Sequence, residues 1–428
     1  MQGGRVAVVG GSIAGCSAAL AAARAGADEV VVFERSPGEL RDRGAGIAIH
    51  HDRFAELAAA GFLDESVPAC RADRRLWYTR DDDAAPLGKP IGENPFPFSG
   101  YNWGHLWRFV RGRLPANVAY RTDARVTAVE PASDGATIRL ADGSAERFDL
   151  VIGADGYRST VRHAMFPESG PEYAGYLCWR GLVDPDRLAG LAALPESAFF
   201  TVGFPGRAST ADVPSPAGTD TAGLLAATGH VVLYRIPTDD GRAALNWVLF
   251  STVPEHIDLG LNEPTSLPPG SVSDQLLDHM AALITDHLPP LWAAALRLTP
   301  REEVFIQPMY DLAAPSFAAG RLLLLGDSGA VSRPHAAAGT LKAMQDAVAL
   351  EEAWRAASDW DDLAHRYDGA RRAAGHSVVE LARRIGHGQV VEVPDWAAFD
   401  TATLLPWITA LTQAPDGTIM GGRELQQR

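Results

Sequence analysis

The stretch VAVVGGSIAGCSAALAAARAGADEVVVFER, residues 6–35, decides the fold, because it reads as a strand, a helix and a second strand. The two strands, VAVV and EVVVF, are apolar throughout rather than alternating, which is typical of strands buried on both faces. Between them Ser12–Ala25 is rich in alanine, the strongest helix former, and Gly26 follows at the position of a helix C-cap. Two buried strands joined by a helix predict a parallel α/β sheet.

The turn after the first strand carries most of a dinucleotide-binding fingerprint, G-x-G-x-x-G. Gly10 and Gly15 fill the first and third glycine positions, and Ser12 stands at the second. The glycines allow a tight turn and close packing of helix on strand, and the helix N-terminus offers N–H groups to a pyrophosphate. Serine is small enough for the turn if its φ stays negative. Glu34, 19 residues after Gly15, is placed to accept hydrogen bonds from a ribose. The alternative is a plain β-α-β turn.

Two later segments bear on the choice between NAD and FAD. VIGADGYRSTVR, residues 151–162, places Asp155 and Gly156 directly after a strand, and LLLLGDSGAVSRPHAAAG, residues 322–339, places Asp327 at another strand end. An aspartate leaving a buried strand can accept hydrogen bonds from a ribityl chain, although Asp155 could equally cap the following helix. The AAAG turn before the next predicted helix would direct N–H groups and a helix dipole at the O2/N1 edge of a reduced flavin.

Composition excludes several other classes of function. Acidic residues outnumber basic ones by 53 to 38, which gives a formal net charge of −15 and argues against binding nucleic acid or an anionic membrane. The three cysteines, Cys16, Cys70 and Cys178, lack C-x-x-C spacing, and no cluster has metal-ligand spacing. No secretory signal and no membrane-spanning apolar run are seen, so a cytoplasmic protein without a metal is expected.

The middle of the chain predicts a second, strand-rich unit. Residues 71–100 change to a charged, Pro/Gly-rich texture and are expected to join its sheet, and HVVLYRIPTDDGRAALNWVLFSTV, residues 230–253, reads as two strands around an Asp-Asp-Gly turn. The predicted domains are a first nucleotide-binding part (1–168), a substrate-binding β domain (169–285), a second nucleotide-binding part (286–375) and a C-terminal helical segment (376–428).

Together these segments resemble the class A FAD-dependent aromatic hydroxylases, the flavoprotein monooxygenases similar to p-hydroxybenzoate hydroxylase. The resemblance covers nearly the whole chain and rests on GGSIAG…FER, RGAGIAI, DGYRSTVR and GDSGAVSRPHAAAG. GGSIAG, YAGYLCWRGL and SRPHAAAGTLKA look closest to the 2,6-dihydroxypyridine 3-monooxygenase branch. It implies a Rossmann-like FAD/NAD(P)-binding domain with an inserted β-sheet substrate domain and a C-terminal helical segment.

The resemblance implies a single-component monooxygenase. NADH or NADPH would reduce FAD, O₂ would form a flavin C4a-hydroperoxide, and an electron-rich phenol or hydroxypyridine would be hydroxylated by it. The chain would act as a monomer or homodimer on an aromatic small molecule. The alternatives are epoxidation or Baeyer–Villiger oxygenation on the same fold, or an NAD-dependent dehydrogenase that uses only the first glycine turn.

The resemblance also assigns roles to individual residues. The residues expected to bind FAD are Gly10, Ser12, Ile13, Ala14, Gly15, Glu34, Arg35, Arg43, Asp155, Gly156, Gly326, Asp327, Pro334, Ala337, Ala338, Gly339 and Thr340. His335 and Tyr234 are the candidate catalytic residues, because a base or acceptor near the substrate hydroxyl would make the ring a better nucleophile. Trp103 stands where relatives commonly carry an arginine, with Arg108 and His105 as possible substitutes.

Overall fold

The computed structural model describes residues 3–425, except for 39, 41–45, 82–84, 192–193, 195–196, 205–227, 254–256, 258 and 260–265. The strands are β1 (Arg5–Val9), β2 (Glu29–Phe33), β3 (Gly46–His50), β4 (Cys70–Thr79), β5 (Lys89–Asn102), β6 (Val118–Arg121), β7 (Val126–Ala132), β8 (Gly135–Leu140), β9 (Ala145–Phe148), β10 (Leu150–Gly153), β11 (Glu172–Val183), β12 (Ala198–Gly203), β13 (Gly229–Pro237), β14 (Ala243–Ser251), β15 (Phe305–Ala313), β16 (Ala318–Ala319), β17 (Leu322–Leu324) and β18 (Ala330–Val331).

The helices are α1 (Ile13–Ala25), α2 (His51–Ala59), α3 (Trp103–Gly112), α4 (Thr160–Met165), α5 (Pro185–Leu188), α6 (Asp274–His287), α7 (Pro290–Arg297), α8 (Gly339–Ala356), α9 (Trp360–Gly386) and α10 (Thr401–Thr412). Among the described helices, none is both long and apolar enough to cross a membrane.

A six-stranded sheet, in the order β16-β17-β10-β1-β2-β6, carries the predicted β-α-β unit. Its strands run parallel except for β16. Val6 and Val8 pack against α1 and α8, whereas Ala7 and Val9 pack against the three-stranded β7-β8-β9 sheet. Because side chains of a strand alternate between faces, burial on both faces explains why residues 6–9 of β1 are all apolar.

A nine-stranded sheet, in the order β18-β15-β11-β14-β13-β12-β4-β5-β3, forms the second layer. One of its faces packs on α6 and α7, where Trp179, Trp247 and Trp292 share one hydrophobic cluster. Residues 71–100 contribute to β4 and β5, so this sheet combines distant parts of the chain. The predicted α/β architecture with a large additional sheet and C-terminal helices is confirmed; the residue boundaries of the domains stay predictions.

Candidate active site

A cavity of about 750 Å³ lies between the carboxyl ends of β1, β2 and β10 and the face of the nine-stranded sheet that α6 and α7 leave uncovered. Its volume falls in the range of small-molecule and cofactor sites. In open parallel sheets, ligands bind at the carboxyl ends of the strands, which is where the glycine turn and both predicted aspartates lie.

The glycine turn leaves no room for larger side chains at its two predicted glycines. Gly10 has a φ of +100°, and a Cβ there would lie 2.4 Å from the carbonyl oxygen of Ala154. A Cβ on Gly15 would lie 1.8 Å from the carbonyl oxygen of Gly10, so any larger residue would push α1 off the strand. Ser12 has a φ of −75°, and the turn therefore accepts serine at the second position without strain.

Gly11 is a part of this turn that the sequence pattern did not reveal. Its N–H donates to Oε2 of Glu34 (2.8 Å), and its carbonyl accepts from Trp107 Nε1 (2.9 Å) and from the Tyr120 hydroxyl (2.8 Å). Glu34 also accepts from the N–H of Ser36 and still lines the cavity. The carboxylate predicted for the ribose therefore also fixes the backbone of the turn.

Two helices point uncapped N-termini at the cavity. Neither Ser12, before α1, nor Ala338, before α8, provides a side chain that accepts a helix N–H. Side-chain caps are present on α2, α3, α4, α5, α6, α9 and α10, and α7 begins with a proline. Free N–H groups at both helix ends fit a cofactor that brings a pyrophosphate to α1 and an electron-rich ring edge to α8.

Asp327 reaches the cavity from the end of β17 and is held there by a buried charge network. The residue before it, Gly326, has a φ of +69°, a left-handed conformation that favours glycine, and donates its N–H to Asp346 Oδ2 (2.8 Å). Lys342 Nζ bonds the Gly326 carbonyl (2.9 Å) and Asp346 (3.1 Å), and Arg371 bonds Asp346 (2.6 Å). Burial raises the pKa of Asp327, while Lys342 lowers it. The sequence analysis did not predict this network, because its members lie on α8, on α9 and in a turn that are separated along the chain.

Asp155 combines the two roles that the sequence left open. It lines the cavity, yet its oxygens accept from the Ser159 hydroxyl (2.5 Å) and the Thr160 N–H (2.7 Å), which caps the start of α4. Arg162 donates to the carbonyls of Tyr157 and Ser328, and so joins this loop to the loop of Asp327. Ser159 and Arg162 therefore stabilise the loops rather than face the cavity.

The Pro334–Gly339 turn forms the wall where a flavin ring is expected. Ala337 has a φ of +50°, a left-handed conformation that alanine rarely adopts. His335 is buried, packs on Phe250 with ring centroids 4.1 Å apart, and bonds the Tyr176 hydroxyl through Nε2 (2.8 Å). Burial, with smaller contributions from His230 and nearby arginines, holds the pKa of His335 well below its ordinary value.

The opposite wall is the open face of the nine-stranded sheet. Tyr234 on β13 stacks on Phe199 of β12, with centroids 4.5 Å apart, and burial raises its pKa to about 12. His230 shares this face, and its Nδ1 lies 3.0 Å from the Gln389 carbonyl. Burial and the charge of Arg75 lower the pKa of His230 to about 3. Arg75 and His230 are lining residues that the sequence analysis did not name.

Most of the predicted residues meet in this cavity. Those that line it are Gly10, Ser12, Ile13, Ala14, Glu34, Arg35, Asp155, Gly156, Tyr234, Asp327, Pro334, His335, Ala337, Ala338, Gly339 and Thr340. Gly15 and Gly326 shape turns behind the lining, and Arg43 lies outside the described residues.

Trp103 also lines the cavity, stacked parallel to Trp107 with centroids 6.4 Å apart. Its two possible substitutes lie elsewhere: His105 and Arg108 both bond Asp239 and line a separate surface cleft. At this position the cavity therefore has an indole wall in place of an arginine.

Comparison with known proteins agrees with this geometry. No family model matches the chain. It is 30% identical over 404 residues to 2,6-dihydroxypyridine 3-monooxygenase of Paenarthrobacter nicotinovorans, covering 90% of this chain and 92% of that one. It is 26% identical over 407 residues to 6-hydroxynicotinate 3-monooxygenase of Bordetella bronchiseptica, covering 92% and 95%. The solved structure of 2,6-dihydroxypyridine-3-hydroxylase from Arthrobacter nicotinovorans superposes with a TM-score of 0.73 at 25% identity, covering 90% and 93%.

The fit of the cavity to FAD and the similarity along nearly the whole chain lead to the same assignment. The glycine turn, the uncapped ends of α1 and α8 and the carboxylates of Glu34 and Asp327 fit a dinucleotide that carries a flavin. The chain therefore belongs to the FAD-dependent aromatic hydroxylases, the flavoprotein monooxygenases related to p-hydroxybenzoate hydroxylase.

Proposed function

We propose that this monooxygenase uses NADH or NADPH with O₂ to hydroxylate a phenol or hydroxypyridine ring held against the open face of the nine-stranded sheet. One observation carries the proposal: a single cavity joins the dinucleotide end of the six-stranded sheet to a wall of aromatic and polar side chains. Bound FAD supplies the redox chemistry that activates O₂. The hydroxypyridine class is favoured because two relatives that are similar over about nine-tenths of the chain, one of them 30% identical, bear such substrates in their names.

For the cofactor, we propose that α1 and Ser12 face the pyrophosphate, Glu34 the adenosine ribose and Asp327 the ribityl chain. The support is positional, because these groups follow one another along the cavity at the ends of adjacent parallel strands. The N–H groups of Gly339 and Thr340 begin an uncapped helix and would stabilise negative charge on the flavin ring edge.

For the substrate hydroxyl, His230 and His335 would act in opposite senses. The Gln389 carbonyl can only accept, so Nδ1 of His230 carries the proton and Nε2 is an acceptor; among the described residues Nε2 has no partner. The hydroxyl of Tyr176 receives a bond from Arg333 and can therefore donate to His335 Nε2, which leaves His335 with a donor at Nδ1. We propose that His230 accepts from the substrate hydroxyl and that His335 donates to a substrate or flavin oxygen.

Replacement of His230 tests this assignment. His230→Leu should lower kcat by about 10-fold, because one hydrogen bond in a dry site is lost, and His230→Gln should recover part of it by offering an amide oxygen. The readout is the ratio of the two kcat values. A wild-type kcat in His230→Leu, or an equal loss of kcat in both variants, would contradict the acceptor role of His230.

The first test of the overall proposal is the visible absorption spectrum of the purified protein, together with the identity of the released cofactor. A yellow protein that releases FAD, and whose NADH or NADPH oxidation is accelerated by hydroxypyridines or phenols, is expected. Incorporation of one ¹⁸O atom from O₂ into the product separates hydroxylation from simple oxidase activity. A protein that fails to take up added FAD would overturn the proposal.

A further inference from the structure

Arg75 is a buried cation that has no anionic partner among the described residues. Arg75 is 4% exposed, and it lines the cavity. Within the described parts of the chain, its guanidinium forms no ion pair with a carboxylate. Its described hydrogen bond runs from Nε to the hydroxyl of Thr201 on the neighbouring strand β12. The two terminal guanidinium nitrogens are left without a described protein acceptor, which is unusual because buried charges in proteins are generally paired.

The surroundings of Arg75 do not neutralise its charge. Its guanidinium carbon lies 4.3 Å from the ring centroid of Trp77 and 5.5 Å from that of Phe96. These cation–π contacts orient the guanidinium plane. Burial nevertheless lowers the pKa of Arg75 to about 9, because removing the guanidinium from water disfavours its charged form. The same charge disfavours protonation of His230 and His335, which keeps both imidazoles neutral beside it.

The described carboxylates of the cavity are confined to one of its ends, where Arg35 and Arg158 also lie. The described carboxylates that line it, Glu34, Asp155 and Asp327, all follow strands of the six-stranded sheet. The nine-stranded sheet contributes Arg75 and Arg180 to the lining and no carboxylate among its described residues. The sites proposed for the pyrophosphate and flavin edge are the ends of α1 and α8, so neither accounts for a cation on β4.

We infer that the aromatic substrate carries an anionic oxygen group, a carboxylate or a ring oxyanion, and that the terminal nitrogens of Arg75 bind it. The inference rests on the proposed function. A planar guanidinium with two free nitrogens matches the two oxygens of a carboxylate or one ring oxyanion, and the bond replaces the missing partner of a desolvated cation. Phe96 beside the guanidinium offers a ring surface for the aromatic part of the same ligand.

The test is ligand binding to the FAD-loaded enzyme, followed by the change in flavin absorbance. Matched ligands are 4-hydroxybenzoate, neutral 4-hydroxybenzamide and 4-nitrophenol, the last titrated across its ionisation. In the wild type, 4-hydroxybenzoate should bind on the order of 10- to 100-fold more tightly than its amide if the group is a carboxylate. If the group is a ring oxyanion, 4-nitrophenol affinity should rise by a similar factor as it ionises.

Three variants make the result specific. Arg75→Met should abolish the preference for the anion, Arg75→Lys should keep part of it, and Arg139→Met, an exposed arginine on β8, should leave it unchanged. Equal affinity of the wild type for neutral and anionic ligands, or a preference that survives in Arg75→Met, would overturn the inference. A protein that binds no FAD and oxidises no nicotinamide would instead defeat the proposed function, before Arg75 is tested.

Discussion

At the scale of single residues, the site depends on a few positions that tolerate no substitution and others that proved adaptable. Gly15 is fixed by the 1.8 Å separation between its hypothetical Cβ and the Gly10 carbonyl, whereas Ser12 replaces a glycine because its φ is negative. A pattern search that demands three glycines would miss this turn. The physical requirement is a small residue in extended backbone at the second position, and serine meets it.

Asp327→Ala should weaken FAD binding far more than it destabilises the protein. Its carboxylate faces the cavity, and hydrogen bonds to a charged group contribute about 1.5–3 kcal/mol each, so FAD affinity should fall on the order of 10- to 100-fold. The measurement is the FAD-to-protein ratio after gel filtration, with Tm recorded in parallel. Glu168→Ala, at an exposed carboxylate, is the control. Full FAD occupancy in Asp327→Ala would contradict the assignment.

Asp346→Ala, in contrast to Asp327→Ala, should mainly lower the stability of the protein. The carboxylate is fully buried and bonds Lys342, Arg371 and the Gly326 N–H, so its loss leaves two cations without their partner. Breaking such a pair costs about 3–5 kcal/mol in the free energy of unfolding, measurable by urea titration. Glu352→Ala, exposed on the same helix, should change it by less than about 0.5 kcal/mol. Similar stabilities for both variants would refute the structural role of the network.

At the scale of elements, the C-terminal segment 413–425 closes the cavity. Its Met420 lines the cavity and packs with Phe96, Phe98 and Tyr234, and the Gly421 N–H donates to the Ala336 carbonyl (2.7 Å). The sequence analysis predicted a C-terminal helical segment over 376–428 and did not place any of its residues at the cavity. Its apolar contact depends on one methionine between turn residues, a pattern too short for periodicity to reveal.

Met420→Ala should therefore admit water to the cavity without unfolding the protein. The expected result is that a larger share of nicotinamide oxidation ends in hydrogen peroxide rather than hydroxylated product, because water is no longer excluded from the reacting groups. The measurement is the ratio of hydroxylated product to hydrogen peroxide at saturating substrate. Leu405→Ala, on the exposed side of α10, is the matched control. An unchanged ratio in Met420→Ala would show that the segment does not seal the site.

At the scale of the whole molecule, two buried neutral histidines make the protein sensitive to acid. Burial and Arg75 hold the pKa of His230 at about 3, and burial also lowers that of His335. An unfolded histidine binds a proton below about pH 6.5, so the unfolded chain gains protons that the folded protein does not. Stability should then fall as the pH drops from about 6.5 toward about 3, with His230 contributing about 2 kcal/mol between pH 7 and pH 5.

Urea unfolding at pH 7 and pH 5 measures this effect. His230→Gln should reduce the difference in unfolding free energy between the two pH values by about 2 kcal/mol, since glutamine does not titrate. The same pH difference in the variant as in the wild type would mean that His230 is not buried in its neutral form.

The sequence by itself determined the parallel sheet, the glycine turn, the aspartates at strand ends and the family. These features are local, because a buried strand, the turn after it and the next helix lie within about thirty residues. Their sequence patterns can therefore be recognised without knowledge of the tertiary structure. The tertiary structure decided the substrate wall and the support of Asp327. Arg75 on β4 meets His230 on β13 only because strands distant in sequence are ordered side by side in one sheet. Which face of those strands stays open depends on where α6 and α7 pack, and strand alternation alone cannot assign it.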